Sequence, residues 1–155
     1  MYAPNPILWA DPTGLSSTYQ ISQNLARAGR PVGVGQTAHH MVQQNNPSKY
    51  ADLSRNLLAR NGLDVEMAEN GARLWGTASS QVAQPGHSGR RAARAGGNYH
   101  AGSHIHSPEN DKLLYKILRS AEARGGADSI RRVLNNLNQR YESGSWKKSF
   151  AACRG

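Results

Sequence analysis

The sequence predicts a small α+β domain, mostly helical, with one short pair of strands and long connecting loops. Three observations predict it. Ser107-Pro108-Glu109 opens a helix on which Leu113, Leu114, Ile117 and Leu118 share a face. Ile130, Val133, Leu134, Leu137 and Tyr141 recur at helical spacing behind a capping Asp128. Alternating Val32 and Val34, with Met41 and Val42 beyond them, set a short strand around the pair His39-His40.

The elements follow in order. Tyr2 to Gly14 is rich in proline and reads as extended chain and turns, closed by Asp11-Pro12-Thr13-Gly14. A helix over Ser17–Ala28 carries Tyr19, Ile21 and Leu25 on one face and stops at Gly29 and Pro31. A second helix follows Pro47-Ser48, with Leu53, Leu57 and Leu58 together and Asn61-Gly62 as its stop. Leu63–Glu69 is a brief helical or irregular piece. Asn70-Gly71 then favours a tight, hairpin-like turn before a second strand at Leu74 and Trp75. Residues 76–103, rich in Gly, Ser, Ala, Gln and Arg, show no periodicity and predict a long loop, of the kind that is functional or mobile. Gly125-Gly126 divides the two late helices, and Ser143–Gly155 reads as a loose basic tail.

Composition narrows the class. The chain has 155 residues and a net charge of +9, enough for one modest domain. No apolar run is long enough to span a membrane. The start lacks a secretory signal pattern. The single cysteine, Cys153, excludes an internal disulfide and a cysteine-rich zinc site. The basic balance points to a polyanionic partner, nucleic acid first. From Gly71 to Pro108 there is no acid, while Arg73, Arg90, Arg91 and Arg94 and four of the six histidines fall there.

The histidines form groups. His39 and His40 are adjacent; His100, His104 and His106 cluster sixty residues later; His87 stands apart. Imidazole ligates transition metals and also serves as a general base near neutral pH. Phosphodiester hydrolysis needs both, a cation for the phosphate and a base for water. Adjacent residues on a strand point to opposite faces, so the strand must end or twist there for both to reach one phosphate. Trp75, Tyr99 and Trp146 fit packing better than base stacking.

Ala38-His39-His40, Leu57-Leu58-Ala59-Arg60-Asn61-Gly62-Leu63-Asp64, Glu69-Asn70-Gly71-Ala72-Arg73-Leu74 and His100-Ala101-Gly102-Ser103-His104 occur in this order. In that order they resemble the AHH nucleases, a branch of the HNH, or ββα-metal, endonucleases, over about residues 36–120. The resemblance implies a small ββα-metal core wrapped in helices. It also implies His39, His100 and His104 as ligands of one divalent cation (magnesium, manganese, zinc or nickel), His40 as general base, and Asn70 as the residue holding the base or its loop. Family members usually continue with Pro-x-Tyr-Asn; here Ile105-His106-Ser107-Pro108 intervenes and Tyr115 comes late. His106 or His87 therefore remain alternative ligands. Arg90, Arg91 and Arg94 suit contacts to the nucleic-acid backbone.

Tyr2-Ala3-Pro4-Asn5-Pro6-Ile7-Leu8-Trp9-Ala10-Asp11-Pro12-Thr13-Gly14-Leu15 is similar to the end of the RHS-repeat core. There, Asp-Pro-x-Gly-Leu marks the junction between a β-cage shell and a variable C-terminal toxin. This divides the chain into a junction (1–15), a nuclease domain (16–142) and a basic tail (143–155). The two resemblances together imply a metal-dependent DNA endonuclease toxin. It would be delivered with its RHS shell, by a type VI or related system, into a target cell's cytoplasm, and neutralised by a cognate immunity protein. Two other readings use the same residues: an RNase toxin working through these histidines without metal, and a non-catalytic basic module that binds nucleic acid.

Overall fold

A computed structural model describes residues 15–76 and 96–154. The RHS-like stretch up to Gly14 and His87, Arg90, Arg91 and Arg94 lie outside the described residues. The elements are α1 (Leu15–Arg27), β1 (Gln36–His40), α2 (Lys49–Arg60), a single 3-10 turn (Ala68–Asn70), β2 (Gly71–Trp75), α3 (Pro108–Ser143) and α4 (Ser145–Arg154). None of the described helices is long and apolar enough to cross a membrane.

The local chemistry explains the helix starts. Ser48 caps α2 by accepting from the backbone N–H of Ala51 at 3.2 Å, with Asp52 in the first turn. Ser107 caps α3 by accepting from the N–H of Asn110 at 3.0 Å, with Pro108 where no intrahelical donor is needed. Helix α3 breaks at Gly125 and Gly126, whose backbone angles are not helical. The second half then folds back beside the first, and the Asn110 amide donates to the Tyr141 hydroxyl at 3.0 Å.

Strands β1 and β2 pair antiparallel, with Ala38 opposite Arg73, His39 opposite Ala72 and His40 opposite Gly71. Asn70-Gly71 is not the hairpin turn that the dipeptide suggested. Residues 41–70, including α2, join the strands, and Gly71 is extended (φ −101°, ψ 135°). The Asn70 side chain is used instead to bridge backbone groups, as described below. The ribbon divides two apolar clusters. On one side Ala38 meets Ile21 and Leu25 of α1. On the other lies the main core, where Leu57, Leu58 and Leu74 pack with Leu114, Leu118, Ile130, Leu134 and Leu137.

The tail is not loose. Residues 145–154 form α4, and Trp146 and Phe150, one turn apart, are buried in the main core. Trp146 Nε1 donates to the carbonyl of His104 and to Asn110 Oδ1, each at 3.0 Å. Gly144 makes the corner with φ +86°. A Cβ there would overlap the carbonyl oxygen of Gly96, so only glycine fits.

Candidate functional site

The site is assembled where β1 ends. Strand alternation sends the His39 side chain toward α3, away from Ala38 and His40. Its ring is enclosed by three others: His100 (centroids 4.8 Å apart), His106 (5.2 Å) and Tyr141, stacked at 5.9 Å. His100 is brought there by a bridge continuing from β2, in which its N–H donates to the carbonyl of Trp75 at 2.8 Å. His106 follows a turn closed by its own N–H on the Gly102 carbonyl, directly before the cap of α3. His39 Nδ1 and His100 Nε2 are 3.0 Å apart. One ring nitrogen from each of His39, His100 and His106 lies within 4.8 Å of the other two.

Burial keeps these rings neutral. It holds His39 well below its ordinary pKa, aided by the nearby imidazoles of His100, His106 and His40. His100 is pushed down to about 4, by burial and then by His106. His106 is lowered by desolvation that outweighs the attraction of Asp111. Each neutral ring has one lone pair to offer. His39 Nε2 is buried with no hydrogen-bond partner among the described residues, a costly state for a polar atom. An unpartnered buried nitrogen beside two more neutral imidazoles fits a bound divalent cation, for which nitrogen donors of this kind suit zinc, nickel and related metals.

His40 leaves the ribbon on the opposite face from His39. It is 8% exposed, and its Nε2 lies 3.2 Å from Oε1 of Glu66. Burial lowers its pKa, against the opposing pull of Glu66 and Asp64. The neutral ring must therefore donate Nε2–H to the carboxylate, which leaves Nδ1 as the basic nitrogen. Glu66 is itself held. Its N–H donates to Asp64 Oδ1 at 2.9 Å, and its carbonyl accepts from the Asn24 amide at 2.7 Å.

Asn70 is fully buried. Its Oδ1 accepts from the N–H of Val42 at 2.8 Å, and its Nδ2 donates to the carbonyls of Val42 and Val65 at 3.0 and 2.8 Å. It thus ties the chain leaving His40 to the segment that carries Glu66.

The model of one protein family matches residues 22–141, 120 of the 155. It is the AHH family, described as a nuclease family of the HNH/ENDO VII superfamily with conserved AHH. The chain belongs to the AHH family. No curated protein and no solved structure matched it. The conserved tripeptide is Ala38-His39-His40, the end of β1.

In this AHH chain the structure brings together His39, His100 and His106; the resemblance named His104 as the third ligand, with His106 as an alternative. The His104 ring turns away, and its Nε2 meets the carbonyl of Gly97 at 2.9 Å. Gly102, at φ +107°, makes the turn, and a Cβ there would press on the His104 ring at 3.0 Å. Arg73 is occupied, with Nε, Nη2 and its backbone N–H all on Glu142. Glu66 was invisible to sequence reasoning, since a glutamate in a short irregular segment carries no periodic or spacing signal.

Proposed function

We propose that this AHH-family chain is a divalent-metal-dependent endonuclease that hydrolyses phosphodiester bonds in DNA, and that it serves as the toxin domain of an RHS-repeat protein. The convergence of His39, His100 and His106, beside His40 at the last position of β1 where the strand ends, carries this reading. His39, His100 and His106 would hold the cation. When bound, it supplies positive charge to the scissile phosphate and to the departing 3′ oxygen. His40 takes the proton of the attacking water at Nδ1 while Glu66 holds its Nε2–H. The water oxygen bonds to phosphorus, the bond to the 3′ oxygen breaks, and solvent returns a proton to the leaving oxygen. Asn70 keeps the backbone after His40 fixed while this happens.

The toxin role and delivery into a target cell rest on the likeness of residues 2–15 to the end of the RHS core. A producer of such an enzyme needs an immunity protein, and against a chain of net charge +9 an acidic one binds fastest. The test is plasmid cleavage by the purified chain with and without chelator, beside His39→Ala and His40→Ala variants and an RNA substrate. DNA cleavage abolished by chelator and by either substitution is expected. Chelator-resistant cleavage of RNA with DNA left intact would replace this reading with the ribonuclease one.

A further inference from the structure

Where α3 folds back on itself, its halves leave a groove of about 690 Å³. Its floor is apolar, from Ile117, Val133 and Leu137, and its rim carries Arg124, Arg132 and Arg140. None of the lining residues is acidic. Three of the five acids of α3 are engaged elsewhere, and neither of the others, Glu109 and Asp128, pairs with a rim arginine among the described residues. Glu122 holds Arg60 and Asn61, Glu142 holds Arg30 and Arg73, and Asp111 accepts from Asn46 and Ser48. Among the described residues Arg132 and Arg140 make no ion pair or side-chain hydrogen bond, and Arg124 donates only to the Ser120 hydroxyl at 2.6 Å.

Three guanidinium groups gathered on one groove repel one another unless an anion joins them. Arg132 and Arg140 are two helical turns apart, about 12 Å along the axis at about 1.5 Å per residue. A nucleic-acid strand presents a phosphate every ~3.4 Å of its axis, so several fall within that span. Arg140 directly precedes Tyr141, which stacks on His39.

We infer that Arg124, Arg132 and Arg140 form a second, sequence-independent contact for the phosphate backbone of the nucleic-acid substrate, apart from the histidine centre. The inference rests on the nuclease reading for the identity of the anion. The guanidinium fork matches phosphate oxygens in pairs.

Binding of a short fluorescent DNA duplex to the His40→Ala chain, in chelator, tests it without cleavage. Changing Arg124, Arg132 and Arg140 together to Gln should weaken binding tenfold or more and flatten the slope of log K against log salt by about 2 to 3, since each lost phosphate contact removes about 0.7 to 0.9. A control with Arg27, Arg119 and Lys148 changed to Gln removes the same charge elsewhere. Equal loss in both triples would overturn the inference by making net charge the whole effect. So would an unchanged slope in the groove triple, with binding of poly-glutamate lost instead, which assigns the groove to an acidic protein. Circular dichroism checks that each triple folds, and groove variants made one at a time should each lower the slope by about 1. If the His40→Ala chain still cuts DNA once metal is restored, the catalytic reading fails while the binding result stands.

Discussion

Nε2 of His40 lies 3.2 Å from Oε1 of Glu66, and this contact decides which nitrogen of His40 is basic. Glutamine at position 66 keeps the shape but can donate from its amide, so the imidazole is free to carry its proton on Nδ1. Glu66→Gln should therefore lower kcat by about 10- to 100-fold with little change in KM, as the loss of an orienting partner does. Glu66→Asp should recover part of it. The imidazole nitrogen shifts of His40 in NMR report the tautomer directly. A Glu66→Gln chain that keeps both the wild-type tautomer and full kcat would reduce Glu66 to a packing residue.

The proposed ligand set makes a separate prediction. Divalent metal added to chelator-treated chain should raise Tm, because binding to the folded state alone stabilises it by about 2.7 kcal/mol at a hundredfold excess over Kd. The response should vanish in His39→Ala and His106→Ala. It should persist in His104→Ala, whose ring is engaged with the Gly97 carbonyl. Thermal scans with and without metal, read for the shift rather than for Tm itself, separate loss of the site from loss of stability.

Acid should unfold the chain through the same histidines. His39, His40, His100, His104 and His106 are all lowered in the folded state, each chiefly by burial. The unfolded chain then binds more protons than the folded one between the ordinary histidine value and the lowered ones. Stability is complete above about 6.5 and is lost as pH falls toward the value of about 4 for His100. Urea midpoints should fall between neutrality and about pH 5, and the fall should shrink in His39→Ala. A flat profile across that window would contradict the burial of this cluster.

Asn70 ties the backbone after His40 to the segment that carries Glu66. Alanine there strands the N–H of Val42 and the carbonyls of Val42 and Val65. Buried backbone groups left unpaired cost about 1–3 kcal/mol each, so Asn70→Ala should lose about 3 kcal/mol or more by denaturant titration. Asp at 70 keeps the acceptor for Val42 and forfeits both donations, so it should lose nearly as much.

Much of the fold was legible because it is encoded locally. Ser48 and Ser107 announce their helices through capping chemistry, and the Leu57-Leu58 and Leu114-Leu118 spacings mark buried faces. The break in α3 is readable from two consecutive glycines. What could not be read depends on three-dimensional encounters. His100, His104 and His106 are equivalent as a spacing, and the Gly102 turn decides which of them meets His39. Glu66 joins His40 across 26 residues, with nothing in either segment to announce the partner. Asn70-Gly71 carries a turn signal that tertiary hydrogen bonds override.

The tail shows the same competition, with composition losing to packing. Lys147 and Lys148 make it basic, but Trp146 and Phe150 lie four apart and are 2% and 3% exposed. Trp146 stacks on Tyr141 at 5.4 Å, and Tyr141 stacks on His39. Trp146→Ala should therefore cost about 3–5 kcal/mol as a buried aromatic and also disturb the histidine centre behind it. Gly144→Ala reaches the same contact from the backbone, since a side chain at φ +86° would collide with Gly96. Its expected loss is about 2 kcal/mol or more. Denaturant titration beside the metal-induced Tm shift checks both variants. If removing residues 145–154 left stability and metal response intact, α4 would be only an appendage to the nuclease domain.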